Sequence, residues 1–238
     1  MNASVLIGGI VGQNAAEGSI SGISPMTNNQ TIYITNSCKG PLGSYSVGGI
    51  AGMSSGYISD VIITNLVVNC TNSSGVTSYL GGMAGQLSVT DATNAELTSC
   101  NTGGSLRAGK SVPYGPVTSV SYLGGISGAV LNVPVRNCNT STSLYGATET
   151  YPDVLYATGG VFGRIRTVSE CRDIIAWGGT LAAPSNTEGI TSYVGSFAGV
   201  APFGVTEDDY SKNNINVNRF GDLIYIGTNL DAQNQPTD

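Results

Sequence analysis

A short glycine motif, Gly-Gly-apolar-x-Gly, recurs along the 238 residues of this chain and constrains its fold more than any other feature. Five copies follow the pattern, and a sixth has serine in place of the second glycine. The motif glycines are Gly8, Gly9, Gly12, Gly48, Gly49, Gly52, Gly81, Gly82, Gly85, Gly124, Gly125, Gly128, Gly159, Gly160, Gly163, Gly195 and Gly199. Successive copies are 40, 33, 43, 35 and 36 residues apart, a spacing too long for a hairpin and suited to one full coil of a solenoid.

The composition favours strands over helices within each coil. Glycine accounts for 34 residues and charged side chains for only 10%, against an average of about 25% charged residues. Strong helix formers are sparse, whereas Val, Ile, Thr and Tyr favour extended chain between glycine turns. The sequence therefore predicts an all-β parallel solenoid over residues 1–205, with about six coils of roughly 37 residues. Residues 206–238 are predicted to form a polar C-terminal cap, with a strand at residues 221–227 and a loose tail at residues 231–238.

Three strands are predicted for each coil. The first carries a tyrosine and leads into the glycine motif, and the second has the pattern apolar-x-x-(Cys or apolar), as in Ile58-Ser59-Asp60-Val61. The third leads to the next tyrosine, as in residues 62–68. In such a stack, a residue type that occurs once per coil becomes a row of like residues about 4.8 Å apart.

The tyrosines that precede the glycines fall into two classes. Tyr79, Tyr122 and Tyr193 lie two residues before the first glycine, whereas Tyr45 and Tyr156 lie three residues before it. Because strand side chains alternate between faces, one extra residue would turn the ring to the other face unless a bulge absorbs it. We expect a bulge in the coils of Tyr45 and Tyr156.

The motif glycines are predicted to act in turns. Glycine at a corner allows a positive φ, and it also lets backbones or a neighbouring tyrosine ring pack closely. The motif lacks the helix-opening context that a phosphate-binding loop needs. We therefore interpret the glycines as structural and assign them no ligand.

The cysteines follow the repeat as well. Cys38, Cys70, Cys100, Cys138 and Cys171 recur every 30 to 38 residues, and no close pair of the kind used in zinc sites occurs. Cys100, Cys138 and Cys171 are placed together at the end of the second-strand pattern. We interpret the five as buried thiols that pack as small apolar side chains. A disulfide between neighbouring coils is the alternative, because such coils bring Cα atoms within about 4.4–6.8 Å.

Two stretches resemble the GLUG motif of bacterial surface proteins, a family that includes adhesin-like and IgA-protease-type chains. They are residues 8–21, GGIVGQNAAEGSIS, and residues 49–60, in which Gly-Ile-Ala-Gly is followed by Gly-Tyr-Ile-Ser-Asp. The resemblance extends over about residues 8–205, every repeat included. It implies a right-handed β-helical stalk or display surface outside the cell, in which the repeats are not the catalytic part.

Several kinds of chemistry are disfavoured by the composition. Histidine, the commonest general base and metal ligand, is absent. Nine basic and fifteen acidic residues give a net charge of −6, which does not suit nucleic acid. The densest charge group, Glu170 and Asp173 beside Arg172, is interpreted as a solvated ion-pair patch. We therefore predict no catalytic residue, no cofactor and no metal.

The best candidates for ligand contact are three tyrosines outside the regular rows. Tyr114, Tyr145 and Tyr151 lie in the irregular segments 111–118 and 143–156. Their rings could stack on sugars, and the alternative role is the anchoring of loops. No apolar run approaches the roughly 18 residues of a membrane-spanning helix, so membrane insertion is not expected.

Three functions remain open. The first is a non-catalytic structural or adhesive surface protein, a stalk that presents variable loops to a protein or glycan on another surface or assembles into a larger fibre. The second is a carbohydrate-binding module, and the third a polysaccharide lyase or hydrolase, which requires two carboxyl groups about 5–9.5 Å apart on one face. The first coil has no polar cap, so a neighbouring copy or an upstream domain is expected to stack on it. We expect an extracellular or cell-surface location, with any secretion signal outside the sequence shown.

Overall fold

The computed structural model describes residues 3–23, 30–34, 42–70, 72–74, 77–89, 94–112, 119–147, 154–167, 171–182, 191–195, 197–200, 224–230 and 236–237. All regular secondary structure in these segments is β-strand. The first strands are β1 Ala3–Gly8, β2 Val11–Asn14, β3 Ser19–Ile23, β4 Gln30–Ile34, β5 Leu42–Gly48, β6 Ala51–Ser54, β7 Tyr57–Cys70 and β8 Asn72–Ser74. Next come β9 Thr77–Gly81, β10 Ala84–Ser88, β11 Glu96–Thr98, β12 Asn101–Arg107, β13 Lys110–Val112, β14 Ser119–Gly124, β15 Ser127–Leu131 and β16 Val135–Tyr145. The last are β17 Val154–Gly159, β18 Phe162–Thr167, β19 Cys171–Ala182, β20 Thr191–Gly195, β21 Ala198–Val200, β22 Ile224–Leu230 and β23 Pro236–Thr237.

The strands form a parallel β-solenoid, as predicted. The first sheet has the order β1-β5-β9-β14-β17-β20, and the second has the order β2-β6-β10-β15-β18-β21. The third contains β3, β4, β7, β11, β12, β16, β19, β22 and β23. Pairing is parallel throughout the first two sheets. About four turns, those of the second to fifth repeats, are complete among the described residues, so the predicted count of six coils is slightly high.

The division of a coil into strands differs from the prediction. Three strands per coil are present, but the glycine motif separates two of them, one in the first sheet and one in the second. The predicted second and third strands are one continuous strand in the second, fourth and fifth coils, as in Tyr57–Cys70. That strand turns a corner without leaving the third sheet.

The corner is made by one residue per coil in the left-handed backbone region. Gly22, Asp60, Ser99, Asn137 and Asp173 have φ values between 51° and 68°, and the strand registers place them in one row. Glycine, Asp and Asn tolerate this conformation better than other residues. The positive φ expected of the motif glycines therefore occurs elsewhere, because among the described glycines only Gly22 and Gly104 have φ in this region.

The motif glycines are required because the first two sheets approach each other at backbone distance. A methyl group on Gly85 would lie 2.5 Å from the backbone N of Val47 and 2.7 Å from the carbonyl O of Gly52. Gly128 stands in the same relation to Leu80 N, at 2.5 Å. The apolar residue of the motif packs in the core of the solenoid, as shown by Ile50, which is fully buried. Close packing of backbones, one of the two predicted roles, is thus the one the structure shows.

The predicted bulges do not lie between Tyr45 or Tyr156 and the glycines that follow them. The strand of Tyr45 does have a register shift, but it lies before the ring, between Leu42 and Ser44. Tyr45 pairs with Ser78 and Gly48 with Gly81 without a shift of register, and Tyr156 likewise pairs with Ser192 and Ser121. Both rings consequently point into the core, where each is 2% exposed. They fit because small neighbours in that row leave volume for a ring. Tyr156 lies between Ser121 and Ser192, and Tyr45 lies between Ser78 and Val5.

The C-terminal strands extend the third sheet. The strand β22 pairs in parallel with β19, and β23 pairs antiparallel with β22. β22 overlaps the strand predicted at residues 221–227, whereas β23 lies in a segment predicted to be loose. Most of the intervening chain lies outside the described residues, so the division at residue 205 and the polar cap remain predictions.

Candidate binding cleft

An open cleft of about 500 Å³ lies where the chain enters the third sheet. It is lined by residues 16–19, Tyr57, residues 94–96 and Pro134. These four segments belong to four successive coils, so the cleft crosses the stack. We refer to it as the axial cleft.

The strand register builds the floor of the axial cleft. Ser19 pairs with Tyr57, and Tyr57 pairs with Glu96. Pro134 occupies the next coil, where its carbonyl accepts a hydrogen bond from Leu97 N at 2.9 Å. One side chain per coil at a spacing of about 4.8 Å gives a row about 14 Å long.

The turn at residues 15–18 forms one wall and is held by a buried side chain. Asn14 is 6% exposed, and its Nδ2 donates to Ser54 Oγ at 3.0 Å and to the Tyr57 carbonyl at 3.3 Å. Gly18 N donates to the Ala15 carbonyl at 2.8 Å, and Tyr57 N donates to the Gly18 carbonyl at 2.9 Å. These bonds fix the backbone of Tyr57 and hence the base of its ring.

A charged pair lies at the opposite wall. Arg136 Nη1 is 2.8 Å from Glu96 Oε1, and both side chains are about one quarter exposed. A pair this accessible contributes little to stability. It does restrict the Glu96 carboxylate to one side of the cleft, with its second oxygen available as an acceptor.

The axial cleft combines an aromatic ring with side chains that form hydrogen bonds. Tyr57 supplies a partly exposed ring, Asn94 an amide with both donors and an acceptor, and Glu17 and Glu96 supply carboxylate acceptors. Glu17 is exposed to solvent and Glu96 is ion-paired. This environment does not provide the enclosed pair of carboxyl groups, one acid and one base, that glycoside hydrolysis requires.

The sequence analysis did not identify this site. Of its three candidate tyrosines, Tyr114 and Tyr151 lie outside the described residues. Tyr145 is the partner of Arg107 in the third sheet, and the guanidinium carbon lies 4.8 Å from the ring centroid. Since the arginine covers one face of the ring, only the other face of Tyr145 remains for a ligand. Aligning the residue before each apolar-x-x pattern would have placed Tyr57 beside Ser19 and Glu96.

Four of the five cysteines are buried thiols in the structure. Cys70, Cys100, Cys138 and Cys171 form no disulfide among the described residues and are at most 7% exposed, and Cys38 lies outside those residues. Cys138 belongs to the row of Cys100, and its hydrogen bond with the Cys100 thiol, together with burial, raises the pKa of Cys138. Cys171, however, pairs with Val135, while Ile174 pairs with Cys138. Grouping Cys171 with Cys100 and Cys138 was therefore wrong by three residues, because the fifth coil starts its pattern at Cys171.

One thiol makes folding sensitive to alkaline pH. Burial raises the pKa of Cys70 to about 12, and burial also raises the pKa of the Tyr45 hydroxyl that interacts with this thiol. Both groups are neutral when protonated. The contribution of Cys70 to stability is therefore complete below about pH 9 and that of Tyr45 below about pH 10, and each is lost as pH rises from there towards 12. We expect the free energy of unfolding to fall in that range by about 1.4 kcal/mol per pH unit for each such group. Urea unfolding at a series of pH values measures this slope; Cys70→Ala should reduce it, and an unchanged slope would contradict the assignment.

The described residues contain no group of three or more His, Cys, Asp or Glu side chains placed to hold a metal ion. Within the same residues, no helix is long and apolar enough to cross a membrane. Comparisons with protein-family models, with curated proteins and with solved structures found no match to this chain. The resemblance to the GLUG family therefore stays a prediction from the repeat.

Proposed function

We propose that this chain is a non-catalytic adhesive protein, a rigid solenoid that binds glycan on another surface through the axial cleft. The observation that carries the proposal is the register-matched row of Ser19, Tyr57 and Glu96. It places a ring and hydrogen-bonding side chains on a firm backbone along one line. An extended saccharide chain has the shape and the hydroxyl groups to follow such a line.

Three features support binding without catalysis. The chain has no histidine, the carboxylates of the axial cleft are exposed or ion-paired, and the described thiols are buried. Reactive cysteines need exposure and a lowered pKa, whereas Cys70 has the opposite properties. Extracellular or cell-surface location is part of the proposal, supported by the Ser, Thr and Asn-rich composition and the resemblance to surface repeats.

A panel of immobilised oligosaccharides tests the proposal directly. The full chain should be retained by at least one extended neutral or weakly charged saccharide, and prolonged incubation should release no shorter products. Retention with release of products would replace adhesion by hydrolysis or lysis. No retention on any saccharide of the panel would contradict a glycan-binding role.

End-to-end assembly is a second proposed activity. Ile10, the apolar residue of the first motif, is 42% exposed, whereas its counterparts Ile50 and Met83 are fully buried. The strands β1 and β2 each have one neighbour in their sheets, which leaves an edge that can accept a further coil. Sedimentation over a range of concentrations should show association that Ile10→Lys abolishes, and a strictly monomeric wild-type chain would contradict it.

A further inference from the structure

A second surface combines aromatic and basic side chains on the outer face of the first two sheets. Tyr79 of β9 pairs in register with Tyr122 of β14. Their rings are stacked, with centroids 5.4 Å apart and an interplanar angle of 19°. Arg164 and Arg166 of β18 adjoin these rings, and we call the four residues the tyrosine-arginine patch.

Arg164 is held in place by Tyr122, which is itself 6% exposed and lies beneath the arginine. Its Nη1 donates to the Tyr122 hydroxyl at 3.1 Å, and its guanidinium carbon lies 5.3 Å from the Tyr122 ring centroid. Because these contacts use one N–H and one side of the guanidinium plane, several of the five donors of Arg164 remain available. The side chain is therefore already ordered before any ligand arrives, which lowers the entropy cost of binding.

Arg166 adds a second cation on the same face. β18 has a register shift at Arg166, which is the extra residue between the paired Ile165 and Thr167. Arg166 is exposed, whereas Ile165 before it is 1% exposed, so Arg166 lies outside the core two residues from Arg164. Burial raises the pKa of the Tyr79 hydroxyl and Tyr122 adds to the rise, while the charges of Arg164 and Arg166 oppose it. Both guanidinium groups are thus close enough to act on Tyr79.

The two arginines are an exception in an acidic chain. Only nine basic residues occur in 238, and the net charge is −6. Neither Arg164 nor Arg166 forms an ion pair with a carboxylate in the part of the chain that the structure describes, where Arg136 and Glu96 are paired. One ordered and one exposed guanidinium group, neither paired with a carboxylate of the described residues, fit an external anion.

We propose that the tyrosine-arginine patch binds the oxyanion groups of an acidic polysaccharide, carboxylate or sulfate. The planar guanidinium fork matches either group with paired hydrogen bonds. Tyr79 offers a ring edge and a hydroxyl to the sugar that carries the anion. Nucleic acid fits less well, since duplex DNA has one charge per about 1.7 Å and calls for many cations, whereas this patch has two.

The proposal does not depend on the axial cleft. The cleft is lined by the third sheet and the turn before it, and no residue is common to the two surfaces. A chain that binds an acidic polysaccharide at the patch could therefore fail to bind neutral sugars at the cleft, and the reverse holds too.

Binding of three soluble polymers to the full chain tests the patch. The probes are polygalacturonate, which carries carboxylates, dextran sulfate and neutral dextran, each titrated at low and high salt. We expect binding to one or both polyanions, weakening at high salt, and no binding to neutral dextran. Arg166→Gln and Arg164→Gln should each weaken polyanion binding by about tenfold, the effect of losing one charge-assisted contact.

Two control variants make the outcome decisive. Arg107→Gln removes the same charge from the pair with Tyr145 in the third sheet and should leave polyanion binding unchanged, as should Tyr57→Ala in the axial cleft. Binding of one polyanion only identifies its oxyanion as the ligand group. Equal binding of neutral dextran that persists in Tyr57→Ala, no binding of either polyanion, full affinity in Arg166→Gln, or an equal loss in either control would overturn the proposal. Arg166 is exposed, so the test stands on that variant even if Arg164→Gln unfolds.

Discussion

Replacing Gly85 by alanine should destabilise the solenoid by about 4 kcal/mol or more, the range reserved for severe local conflicts. The new methyl group would lie 2.5 Å from Val47 N, 2.7 Å from the Gly52 carbonyl O and 2.9 Å from Ser46 C. All three are backbone atoms of paired strands, so no side-chain rotation relieves the overlap. The first and second sheets would have to separate, and that separation would spread to the adjacent coils through the shared hydrogen bonds.

Gly22→Ala provides the matched control for this prediction. Gly22 has φ of 68° and open space around the site of the missing Cβ, so alanine there should cost only roughly 1–2 kcal/mol, the strain of the left-handed conformation. Urea unfolding followed by circular dichroism compares the two variants. Equal losses of stability, or a larger loss for Gly22→Ala, would show that close sheet packing is not what the motif provides.

Replacing Tyr57 by alanine should reduce the affinity for a cleft-bound saccharide by roughly 30-fold, as removal of a central aromatic anchor does. Tyr57 lies in the middle of the row between Ser19 and Glu96. Its backbone hydrogen bond to Gly18 remains in the variant, and the core residue is its neighbour Ile58. The fold should therefore persist while the stacking surface is lost.

Two further variants separate the cleft from other tyrosines. Glu96→Gln removes a carboxylate acceptor and its ion pair with Arg136 and should weaken binding less than Tyr57→Ala does. Tyr145→Ala, in the third sheet beside Arg107, should leave affinity unchanged. Titration calorimetry with the best saccharide of the panel gives these affinities; a larger loss for Tyr145→Ala than for Tyr57→Ala would move the site away from the axial cleft.

The architecture follows from the sequence because its main determinant is a repeat of glycines. A motif that returns once per coil aligns with itself, and Gly8, Gly48, Gly81, Gly124, Gly159 and Gly195 do form one row. The parallel solenoid is therefore specified without any knowledge of the loops. The role of the glycines was only half predicted, because their need for a close backbone contact cannot be distinguished in the sequence from a need for positive φ.

The facing of individual side chains was harder to predict. A bulge and an inward-facing ring explain the position of Tyr45 equally well until the volume of its neighbours is considered. The small side chains of Ser78 and Ser121 in its row favour the inward-facing ring. The predicted register of Cys171 was wrong for a related reason. Val168 and Cys171 both fit the first position of the apolar pattern, and only the pairing of Cys171 with Val135 shows which of them begins it.

The axial cleft was missed because its residues share a register and no chemical motif. Ser19, Tyr57, Glu96 and Pro134 are of four different types, and none stands out by composition. They meet because the corner residues three positions further along each strand, such as Asp60 and Ser99, keep the coils aligned. To find a binding surface on a solenoid, the residues at equivalent positions of successive coils must therefore be compared.

Hydrogen exchange with and without the retained saccharide tests whether the saccharide binds at the axial cleft. If the chain is an adhesive solenoid that binds through the axial cleft, the saccharide should slow exchange in the peptides that contain residues 16–19, Tyr57 and residues 94–96. Exchange in the remainder of the third sheet and at the tyrosine-arginine patch should not change. Protection confined to other segments, or no protection at saturating saccharide, would contradict the account.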